Sequence, residues 1–253
     1  GAKAIVIFSN SAHVLEKVVA RTQIEHIIVT DIGDLLGFPK SLVVNFVLRY
    51  IKKMIPKFSL PSSVFFNQVL LQGAQMPFTP ADCTLEDIAF LQYTGGTTGI
   101  SKGAILTHKN IVANVLQAKT WISNFIREGK EIIITPLPLY HIFSLTANCL
   151  IFFSVGGLNV LITNPRDIPD FVKELKKWKF TAFTGVNTLF NALLNNKEFR
   201  NLDFSSLHVT LGGGMAVQEA VADEWKKVTK KPLIEAYGLT ETSPAACINP
   251  MTL

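Results

Sequence analysis

One segment combines glycine, threonine and lysine in a way that suits the binding of phosphate groups. It reads Tyr93-Thr94-Gly95-Gly96-Thr97-Thr98-Gly99-Ile100-Ser101-Lys102-Gly103. Glycine lets the backbone approach a ligand closely, threonine hydroxyls and free N–H groups donate hydrogen bonds, and lysine adds a mobile positive charge. An apolar run precedes the segment and a helical pattern follows it near Thr107, which is how α/β proteins hold polyphosphate. The alternative is a flexible surface turn, but plain turns rarely need these residue types together.

The spacing inside this segment excludes two common phosphate-binding motifs. A P-loop needs two glycines five residues apart with lysine directly after the second. Here the residue five after Gly95 is Ile100, and Lys102 stands three residues beyond Gly99. The Rossmann fingerprint Gly-x-Gly-x-x-Gly is found neither in this segment nor at residues 212–214. We therefore expect a strand, a loop of another class, and then a helix.

A second segment, residues 237–241, follows the last predicted strand and reads Tyr-Gly-Leu-Thr-Glu. The ring of Tyr237 offers a face for a nucleotide base, Gly238 allows close approach, and Thr240 can donate to a phosphate. The carboxylate of Glu241 is a hard oxygen ligand, which suits a magnesium ion that shares its shell with phosphates. Taken alone, the segment is also compatible with an ordinary turn that carries a surface carboxylate.

Two further segments contain candidate site residues, but their residue types are weaker evidence for a functional site. Gly212-Gly213-Gly214 follows a predicted strand, and a plain strand-to-helix turn is the alternative for it. His141 lies in the apolar run of residues 136–143. A solitary histidine in such a run is more often a hydrogen-bonded core residue than a site residue.

The elements that must position these residues alternate between strand and helix patterns. Apolar runs at residues 4–8 and 27–29 flank a helical pattern, which predicts a β-α-β unit. Further strands are predicted at residues 131–135, 158–163, 180–183, 207–211 and 233–236, and helices at 110–127, 168–178, 188–194 and before Lys230. This order predicts an α/β fold of doubly wound sheets with flanking helices, with functional loops at the carboxyl ends of strands.

One long stretch raises the alternative of a transmembrane helix. Residues 132–165 contain no Asp, Glu, Lys or Arg. Pro136, Pro138, His141 and the Gly156-Gly157 pair interrupt the stretch, however. A strand, a buried helix and a second strand are therefore predicted.

Residues 38–78 form a basic, strongly apolar segment. A helix is predicted over residues 40–57, ended by Pro56. Its polar and basic residues share one arc, namely Ser41, Asn45, Arg49, Lys52 and Lys53. A helix of this kind suits peripheral contact with an anionic membrane surface. A half-buried helix with a solvated basic edge is the alternative.

Composition narrows the choice of partner and compartment. The 253-residue chain has a formal charge of +5 and a pI near 9.1, but its basic residues are scattered and no nucleic-acid motif is present, so no nucleic-acid partner is predicted. The chain has three widely spaced cysteines, Cys83, Cys149 and Cys247, which predict neither disulfides nor a metal site. This cysteine content favours a protein of the reducing cytoplasm. A peripheral location on the inner face of the cytoplasmic membrane is a further possibility that we keep open. Residues 1–8 read as a buried strand and not as a secretory signal. Because the chain enters this strand abruptly and without a methionine, it is expected to come from something longer. The sequence leaves open whether the protein forms a homodimer.

Together these segments resemble the signature motifs of the adenylate-forming superfamily. Residues 94–103 are similar to its Thr-Ser-Gly-Thr-Thr-Gly-x-Pro-Lys-Gly motif, with Gly95 in the serine position and Ser101 in the proline position. Residues 237–241 match Tyr-Gly-x-Thr-Glu without a departure. The resemblance extends along the whole chain and is closest to bacterial long-chain fatty-acid–CoA ligases. It implies a fold that is part of the large amino-terminal domain of such an enzyme.

The resemblance implies a role for each candidate residue. It makes Lys102, Thr240, Glu241 and His141 catalytic, with Glu241 as the magnesium ligand. It assigns ATP or AMP binding to Thr94, Gly95, Gly96, Thr97, Thr98, Gly99, Lys102, Gly212, Gly213, Gly214, Tyr237, Gly238 and Thr240. It assigns the acyl group to His141, Phe143, Gly185 and Val186, the last two in a segment where Asn187 replaces the usual proline.

The implied reaction joins a fatty acid to coenzyme A at the expense of ATP, with Mg²⁺ as the metal. A long-chain fatty acid is first converted to an acyl-adenylate, and the thiol of coenzyme A then displaces AMP. Two alternatives stay open: a ligase for another carboxylic acid, or a catalytically inert, membrane-associated nucleotide-binding module. The resemblance covers only the middle of the family's large domain. Residues 1–253 are therefore expected to be an incomplete catalyst that lacks the small carboxyl-terminal domain.

Overall fold

The computed structural model describes residues 1–95 and 101–251. Its contacts divide the chain into two units, Gly1–Ala81 and Asp82–Leu253. Each unit is described by itself. Gly96, Thr97, Thr98 and Gly99, which were predicted to bind phosphate, lie outside the described residues.

The first unit is built on a three-stranded parallel sheet. Strand β1 (Ala4–Phe8) pairs with β2 (His26–Thr30), and β2 pairs with β3 (Ser63–Phe65). Helix α1 (Ala12–Glu16) connects the first two strands, so the predicted β-α-β unit is confirmed. Its small core consists of Ala12, Leu15, Ile27, Val29 and Leu60. The unit also contains helix α3 (Phe66–Gly73).

The predicted basic helix is shorter than expected. Helix α2 (Lys40–Phe46) continues into a single wider turn of π-helix (Val47–Ile51) and then ends. Lys53 has a left-handed backbone, with φ at +50°, through which a right-handed helix cannot continue. The prediction of a helix to residue 57 is therefore wrong, and Lys53 does not belong to its arc.

The polar edge of α2 is used inside the first unit. Asn45 donates from Nδ2 to Asp34 Oδ1 at 2.9 Å and accepts from the N–H of Gly33 at 2.8 Å. Arg49 forms an ion pair with Asp31, with Nη2 3.1 Å from Oδ2. Asn45 and Arg49, which were predicted to share the polar arc of this helix, are therefore engaged by acidic residues after β2.

The glycine–threonine segment of the second unit connects two antiparallel strands. Strand β4 (Ile88–Thr94) pairs with β5 (Lys102–Thr107), and Thr94 lies opposite Lys102. A second strand thus precedes the helix, where the sequence predicted a helix directly after the loop. Helix α4 (His108–Trp121) begins directly after β5. Thr107 caps it by accepting from the N–H of Asn110 at 3.2 Å, while Asn110 Oδ1 accepts from the N–H of Thr107 at 3.0 Å.

A six-stranded sheet forms the centre of the second unit. Its strands are β6 (Ile132–Thr135), β7 (Leu158–Leu161), β8 (Ala182–Gly185), β9 (Val209–Gly212), β10 (Ile234–Gly238) and β11 (Ala245–Ile248). They lie in the order β11-β10-β9-β8-β6-β7. The neighbours from β10 to β7 are parallel, whereas the unpredicted β11 is antiparallel to β10. The predicted α/β architecture is confirmed.

Helices lie between the successive strands of this sheet. Between β6 and β7 run α5 (Ile142–Ser144), a π-helical segment (Leu145–Leu150) and α6 (Ile151–Ser154), so the predicted strand–helix–strand order is confirmed. The later helices are α7 (Ile168–Leu175), α8 (Asn187–Leu194), α9 (Lys197–Arg200) and α10 (Glu219–Thr229). Within residues 1–95 and 101–251, no helix has the length and hydropathy needed to cross a membrane.

Two apolar cores cover the two faces of the six-stranded sheet. Successive side chains of a strand point to opposite faces, so Ile134 and Phe183 join one core while Ile133 and Ala182 join the other. The first core contains the aromatic residues Phe171, Phe183, Phe190, Phe199 and Trp225. The second core lies under α4 and α6 and contains Ala118, Ile122, Ile151, Phe152 and Val209. The face with the second core carries the site described next.

Candidate functional site

A cavity of about 410 Å³ lies in the second unit and collects most of the described candidate residues. Four separate segments contribute them. They are Thr94 and Gly95, His141 and Phe143, Gly213 and Gly214, and Tyr237, Gly238, Thr240 and Glu241. Three of these segments lie at or beyond the carboxyl ends of β6, β9 and β10, and parallel strands end at the same edge of a sheet. Thr94 and Gly95 come from the separate β4–β5 hairpin.

Four candidate residues do not line this cavity: Lys102, Gly185, Val186 and Gly212. Gly185 and Gly212 are buried and lie opposite each other in β8 and β9. A Cβ at Gly185 would come within 2.9 Å of the Phe190 ring, and one at Gly212 within 2.6 Å of Val217. Both glycines therefore permit close packing behind the cavity, and their ligand roles stay predictions.

Lys102 lies at the loop end of the hairpin, opposite Thr94. Its side chain is exposed, and its carbonyl accepts a hydrogen bond from Thr94 Oγ1 at 3.4 Å. The hairpin is also tied to the apolar run before α5, because Gln92 donates from its side chain to the carbonyl of Tyr140. The strand of Lys102 lies against the turn Thr240–Thr242. This neighbourhood suits a cation that meets a ligand bound between the hairpin and that turn.

The loop after β10 has a backbone that only glycine permits at one position. A Cβ at Gly238 would lie 2.0 Å from the carbonyl oxygen of Pro244. The N–H of Leu239 donates to the same carbonyl oxygen at 3.1 Å, and Thr242 Oγ1 accepts from that N–H at 2.9 Å. The loop thus folds back on itself and presents Thr240 and Glu241 at the cavity.

The carboxylate of Glu241 fits a magnesium ion that is shared with a ligand. Glu241 is exposed and lines the cavity. No cluster of three or more His, Cys, Asp or Glu occurs in the part of the chain that the structure describes. Mg²⁺ usually takes one or two carboxylates and completes its shell with water and substrate phosphates. A single carboxylate at the cavity mouth agrees with this coordination pattern and not with a site in which the protein supplies every ligand.

The glycine turn after β9 lies directly against Phe143. A Cβ at Gly213 would approach the Phe143 ring to 3.1 Å and the carbonyl of Ala236 to 3.3 Å. Gly214 has φ at +76°, in the left-handed region that favours glycine. The turn therefore passes close to the aromatic ring without a side chain of its own.

His141 is exposed at the cavity and is not a buried core histidine. It precedes α5, and its Nδ1 accepts from the N–H of Phe143 at 3.2 Å. An accepting Nδ1 carries no proton, so the proton of the neutral ring is on Nε2. His141 can therefore donate one hydrogen bond from Nε2 while it caps the helix.

Asn114, Thr146 and Thr184 also line the cavity. Sequence reasoning missed ten apolar residues of the lining. They are Ala118, Ile122, Ile133, Ala147, Ile151, Phe152, Val209, Leu211, Ile248 and Met251. Several lie in the charge-free stretch of residues 132–165, and that lack of charge was the available signal. Polar groups therefore surround one part of the cavity and hydrocarbon surrounds the other.

A buried polar network supports the cavity wall. Thr184 lines the cavity, and its hydroxyl donates to Asn148 Oδ1 at 2.9 Å. Asn148 donates in turn to Thr135 Oγ1 at 3.1 Å, and Thr135 donates to Asn159 Oδ1 at 2.9 Å. The network joins the helix between β6 and β7 to three strands of the sheet, so it fixes the wall of the cavity.

A mostly parallel α/β sheet with glycine-rich turns at the carboxyl ends of its strands belongs to an architectural class in which nucleotides are commonly bound at that edge. The family model described as "AMP-binding enzyme" matches residues 1–253. The chain belongs to this family.

Curated relatives share more than half of their aligned residues with the chain. It is 57% identical over 250 residues to the long-chain-fatty-acid–CoA ligase of Salmonella typhimurium, covering 99% of this chain and 45% of that protein. It is 56% identical over 253 residues to the protein of the same name from Yersinia pestis, covering 100% of this chain and 45% of that protein. The chain thus spans less than half of the length of these relatives.

Solved structures with low sequence identity share the fold. A long-chain-fatty-acid–CoA ligase from Archaeoglobus fulgidus aligns with a TM-score of 0.67 at 24% identity, over 98% of this chain and 45% of that chain. A red-emitting luciferase from Phrixothrix hirtus aligns with a TM-score of 0.72 at 20% identity, over 98% of this chain and 44% of that chain. These matches confirm the predicted fold class.

Proposed function

We propose that the protein containing this chain activates a long-chain fatty acid with ATP and transfers the acyl group to coenzyme A. One observation carries the proposal: a single cavity joins a polar mouth, which includes Thr240 and Glu241, to an apolar interior. A molecule with a hydrocarbon chain and a carboxylate head can be buried there with its head beside a nucleotide. The names of the relatives that are 56–57% identical support the same substrate class.

In the proposed first step, the carboxylate of the fatty acid attacks the α-phosphate of ATP. A bond forms between the carboxylate oxygen and phosphorus, and the bond from phosphorus to pyrophosphate breaks. A fatty acid is already ionised at neutral pH, so no general base is required. The obstacle is repulsion between the carboxylate and the triphosphate, which makes electrostatic stabilisation the main task of the site.

The loop after β10 and the glycine–threonine segment contain residue types that are suited to that task. We assign Thr240 to the α-phosphate and Lys102, with the neighbouring threonines Thr97 and Thr98, to the outer phosphates. Glu241 would hold Mg²⁺, which would neutralise phosphate charge when bound. The exposed ring of Tyr237 would cover the adenine.

The acyl group would occupy the apolar part of the cavity. Burial of each methylene group contributes about 0.8 kcal/mol, so ten buried methylenes would contribute roughly 8 kcal/mol before the costs of binding. His141 and Phe143 lie at the cavity with the glycine turn, so we assign them to the carboxylate end of the chain. Nε2 of His141 would donate to that carboxylate, because Nδ1 already accepts from the helix.

In the proposed second step, the thiolate of coenzyme A attacks the acyl carbon and AMP leaves. A carbon–sulfur bond forms and the bond from carbon to the AMP oxygen breaks. We propose that this step needs parts of the protein outside residues 1–253, since the chain matches less than half of its relatives.

Acid-dependent exchange between pyrophosphate and ATP tests the proposal in the full-length protein. An acid panel should contain fatty acids of increasing length and aromatic acids, each with and without coenzyme A. We expect exchange with long-chain fatty acids, and thioester only when coenzyme A is present. Exchange with aromatic acids alone would favour a ligase for another acid. No exchange with any acid would favour an inert nucleotide-binding module.

We also propose that the first unit contacts an anionic membrane surface on the cytoplasmic side. Leu42, Phe46 and Tyr50 of the α2 region are more than half exposed. The rings of Phe46 and Tyr50 lie together, with centroids 5.1 Å apart. Lys40 and Lys52 are exposed at the two ends of this apolar face. Apolar insertion flanked by positive charge is the usual chemistry of peripheral membrane binding.

A further inference from the structure

One buried asparagine joins the helix after the hairpin to the loop that carries Glu241. Asn114 lies on α4 and is 6% exposed. Its Nδ2 donates to the carbonyl of Ala245 at 2.8 Å, and its Oδ1 accepts from the N–H of Ala245 at 3.1 Å. Both polar atoms of one side chain are thus engaged by the backbone of one residue, 131 positions away.

Ala245 holds the loop that contains Thr240 and Glu241. It is the first residue of β11, and its partner across the sheet is Gly238. Gly238 in turn lies against Pro244 so closely that no Cβ fits between them. The two ends of the loop, Gly238 and Ala245, therefore lie side by side, and Asn114 holds Ala245 in this place.

At its other end, α4 is connected to the phosphate-binding hairpin. The reciprocal hydrogen bonds between Thr107 and Asn110 fix the junction of β5 and α4. Strand β5 begins at Lys102 and lies against the turn Thr240–Thr242. One continuous path of strand, helix and side chain thus connects Lys102 to the loop of Glu241.

We propose that Asn114 is a positioning residue for adenylation. It holds the loop of Thr240 and Glu241 in register with the hairpin, so that both can meet one triphosphate. The inference rests on the proposed function. Asn114 itself lines the cavity, but Ala245 engages both its amide oxygen and its amide nitrogen, so we assign it a role in holding Ala245 and none in contacting the reacting atoms. A second tie keeps the loop folded without it, because Thr146 donates to the carbonyl of Ser243 at 3.3 Å.

The substitution Asn114→Asp tests the inference in the full-length protein. Aspartate has the same shape and keeps the acceptor, but its ionised form places a second oxygen beside the carbonyl of Ala245. A displaced loop should lower kcat/KM for MgATP in the exchange assay by roughly ten- to a hundredfold. The KM for the fatty acid should stay within about twofold, because the apolar wall is unchanged.

The pH dependence of the same variant provides a second readout. Once protonated, the carboxyl group introduced by Asn114→Asp could again donate to the carbonyl of Ala245 while its other oxygen accepts. The ratio of variant to wild-type kcat/KM for MgATP should therefore rise as the pH falls. The variant Asn114→Ala lacks both groups, so its ratio should stay flat over the same pH range.

The variant Asn196→Ala is the matched control. Asn196 caps α9 by accepting from the N–H of Phe199 at 3.0 Å and does not line the cavity. Its loss removes a comparable side-chain hydrogen bond, so activity per active site should be unchanged. Active sites are counted from the burst of acyl-adenylate, which removes any effect of partial unfolding.

Failure of the inference can be distinguished from failure of the proposed function. Absence of exchange in the wild-type protein with every acid would overturn the proposed function. A wild type that exchanges, together with an Asn114→Asp variant whose ATP kinetics match it per active site, would overturn the positioning role. Equal losses for ATP and fatty acid, with a flat pH ratio, would also overturn it. If Asn114→Ala does not fold, the pH ratio of Asn114→Asp decides.

Discussion

The ring of Phe143 packs against the bare backbone of Gly213, where an added Cβ would lie 3.1 Å from the ring. This contact joins the segment that we assign to the acyl group with the glycine turn that is predicted to bind ATP or AMP. A methyl group at Gly213 would have to displace either the ring or the backbone of Ala236. The shape of both parts of the cavity therefore depends on the lack of a side chain at Gly213.

We expect Gly213→Ala to lower kcat/KM for both ATP and the fatty acid, because a displaced Phe143 ring changes both parts of the cavity. The loss should be about tenfold, which corresponds to roughly 1.4 kcal/mol. Gly73→Ala is the control, since nothing lies within 4 Å of its Cβ position at the end of α3. Exchange kinetics measure both. A loss confined to one substrate would contradict the shared contact.

Lys102→Ala and Thr98→Ala should mainly weaken the use of ATP. Loss of one charge-assisted contact costs about 1.5–3 kcal/mol, which is roughly a ten- to hundredfold lower kcat/KM for ATP. Lys109→Ala is the control, because Lys109 is exposed and pairs with Glu86 at 3.1 Å. An unchanged kcat/KM for ATP in both variants would remove the phosphate assignment of the hairpin.

Glu241→Gln should be nearly as inactive as Glu241→Ala, although it preserves the shape of the side chain. A magnesium ligand needs the charge, so the loss should be largest at limiting magnesium and partly recovered at high concentration. The control Glu235→Gln changes an exposed carboxylate on β10 that does not line the cavity. Adenylation rates over a magnesium titration measure the effect. Wild-type behaviour of the Glu241→Gln variant at limiting magnesium would refute the metal role.

Ala118→Phe should shorten the fatty acid that the cavity accepts. Ala118 is buried and lines the apolar part, so a phenyl ring would occupy space proposed for the chain. Exclusion of two or three methylenes would cost about 2 kcal/mol, or roughly thirtyfold in kcat/KM for the longest acids. Ala113→Phe is the control, because Ala113 is exposed on the same helix. Equal losses for short and long acids would contradict the assignment.

Binding to anionic vesicles should depend on Lys40 and Lys52, which flank the exposed apolar face, and not on Arg49. Each basic residue near an anionic leaflet contributes about 1 kcal/mol, so the paired change to Gln should weaken binding by roughly thirtyfold at low salt. Arg49 is engaged by Asp31, so Arg49→Gln should leave vesicle binding unchanged. Co-sedimentation with anionic and neutral vesicles at low and high salt measures the effect. Unchanged binding by the Lys40/Lys52 variant would mean that α2 serves only the fold.

Local patterns predicted the strands that are apolar over several residues and the loops that follow them. The β-α-β unit of the first sheet and the strands β6 to β10 belong to this group. Strand β11 was missed because its four residues have little pattern of their own and its start is held by Asn114, far away in the chain. The second strand of the hairpin was missed because glycine and lysine open it.

The polar mouth of the candidate site was predictable, whereas its apolar wall was not. Residue types at 237–241 indicate phosphate and metal chemistry wherever they lie. Ala118 and Met251 have no such chemistry, and they line the same cavity only because α4 and the end of the described chain pack on one face of the sheet. The engagement of Arg49 by Asp31 likewise depends on a tertiary contact that no helical pattern contains.

The π-helical segment Leu145–Leu150 makes the cavity wall sensitive to insertions and deletions. Its wider turn lets Asn148 reach β6 and β8 while Ala147 and Ile151 line the cavity. A π-helical turn closes over one residue more than an α-helical turn, so deletion of one residue here would convert the segment to α-helix and shift Ala147 or Asn148 from its present place. A change in chain length within this one turn could therefore reshape the apolar compartment while every motif residue at its mouth stayed the same.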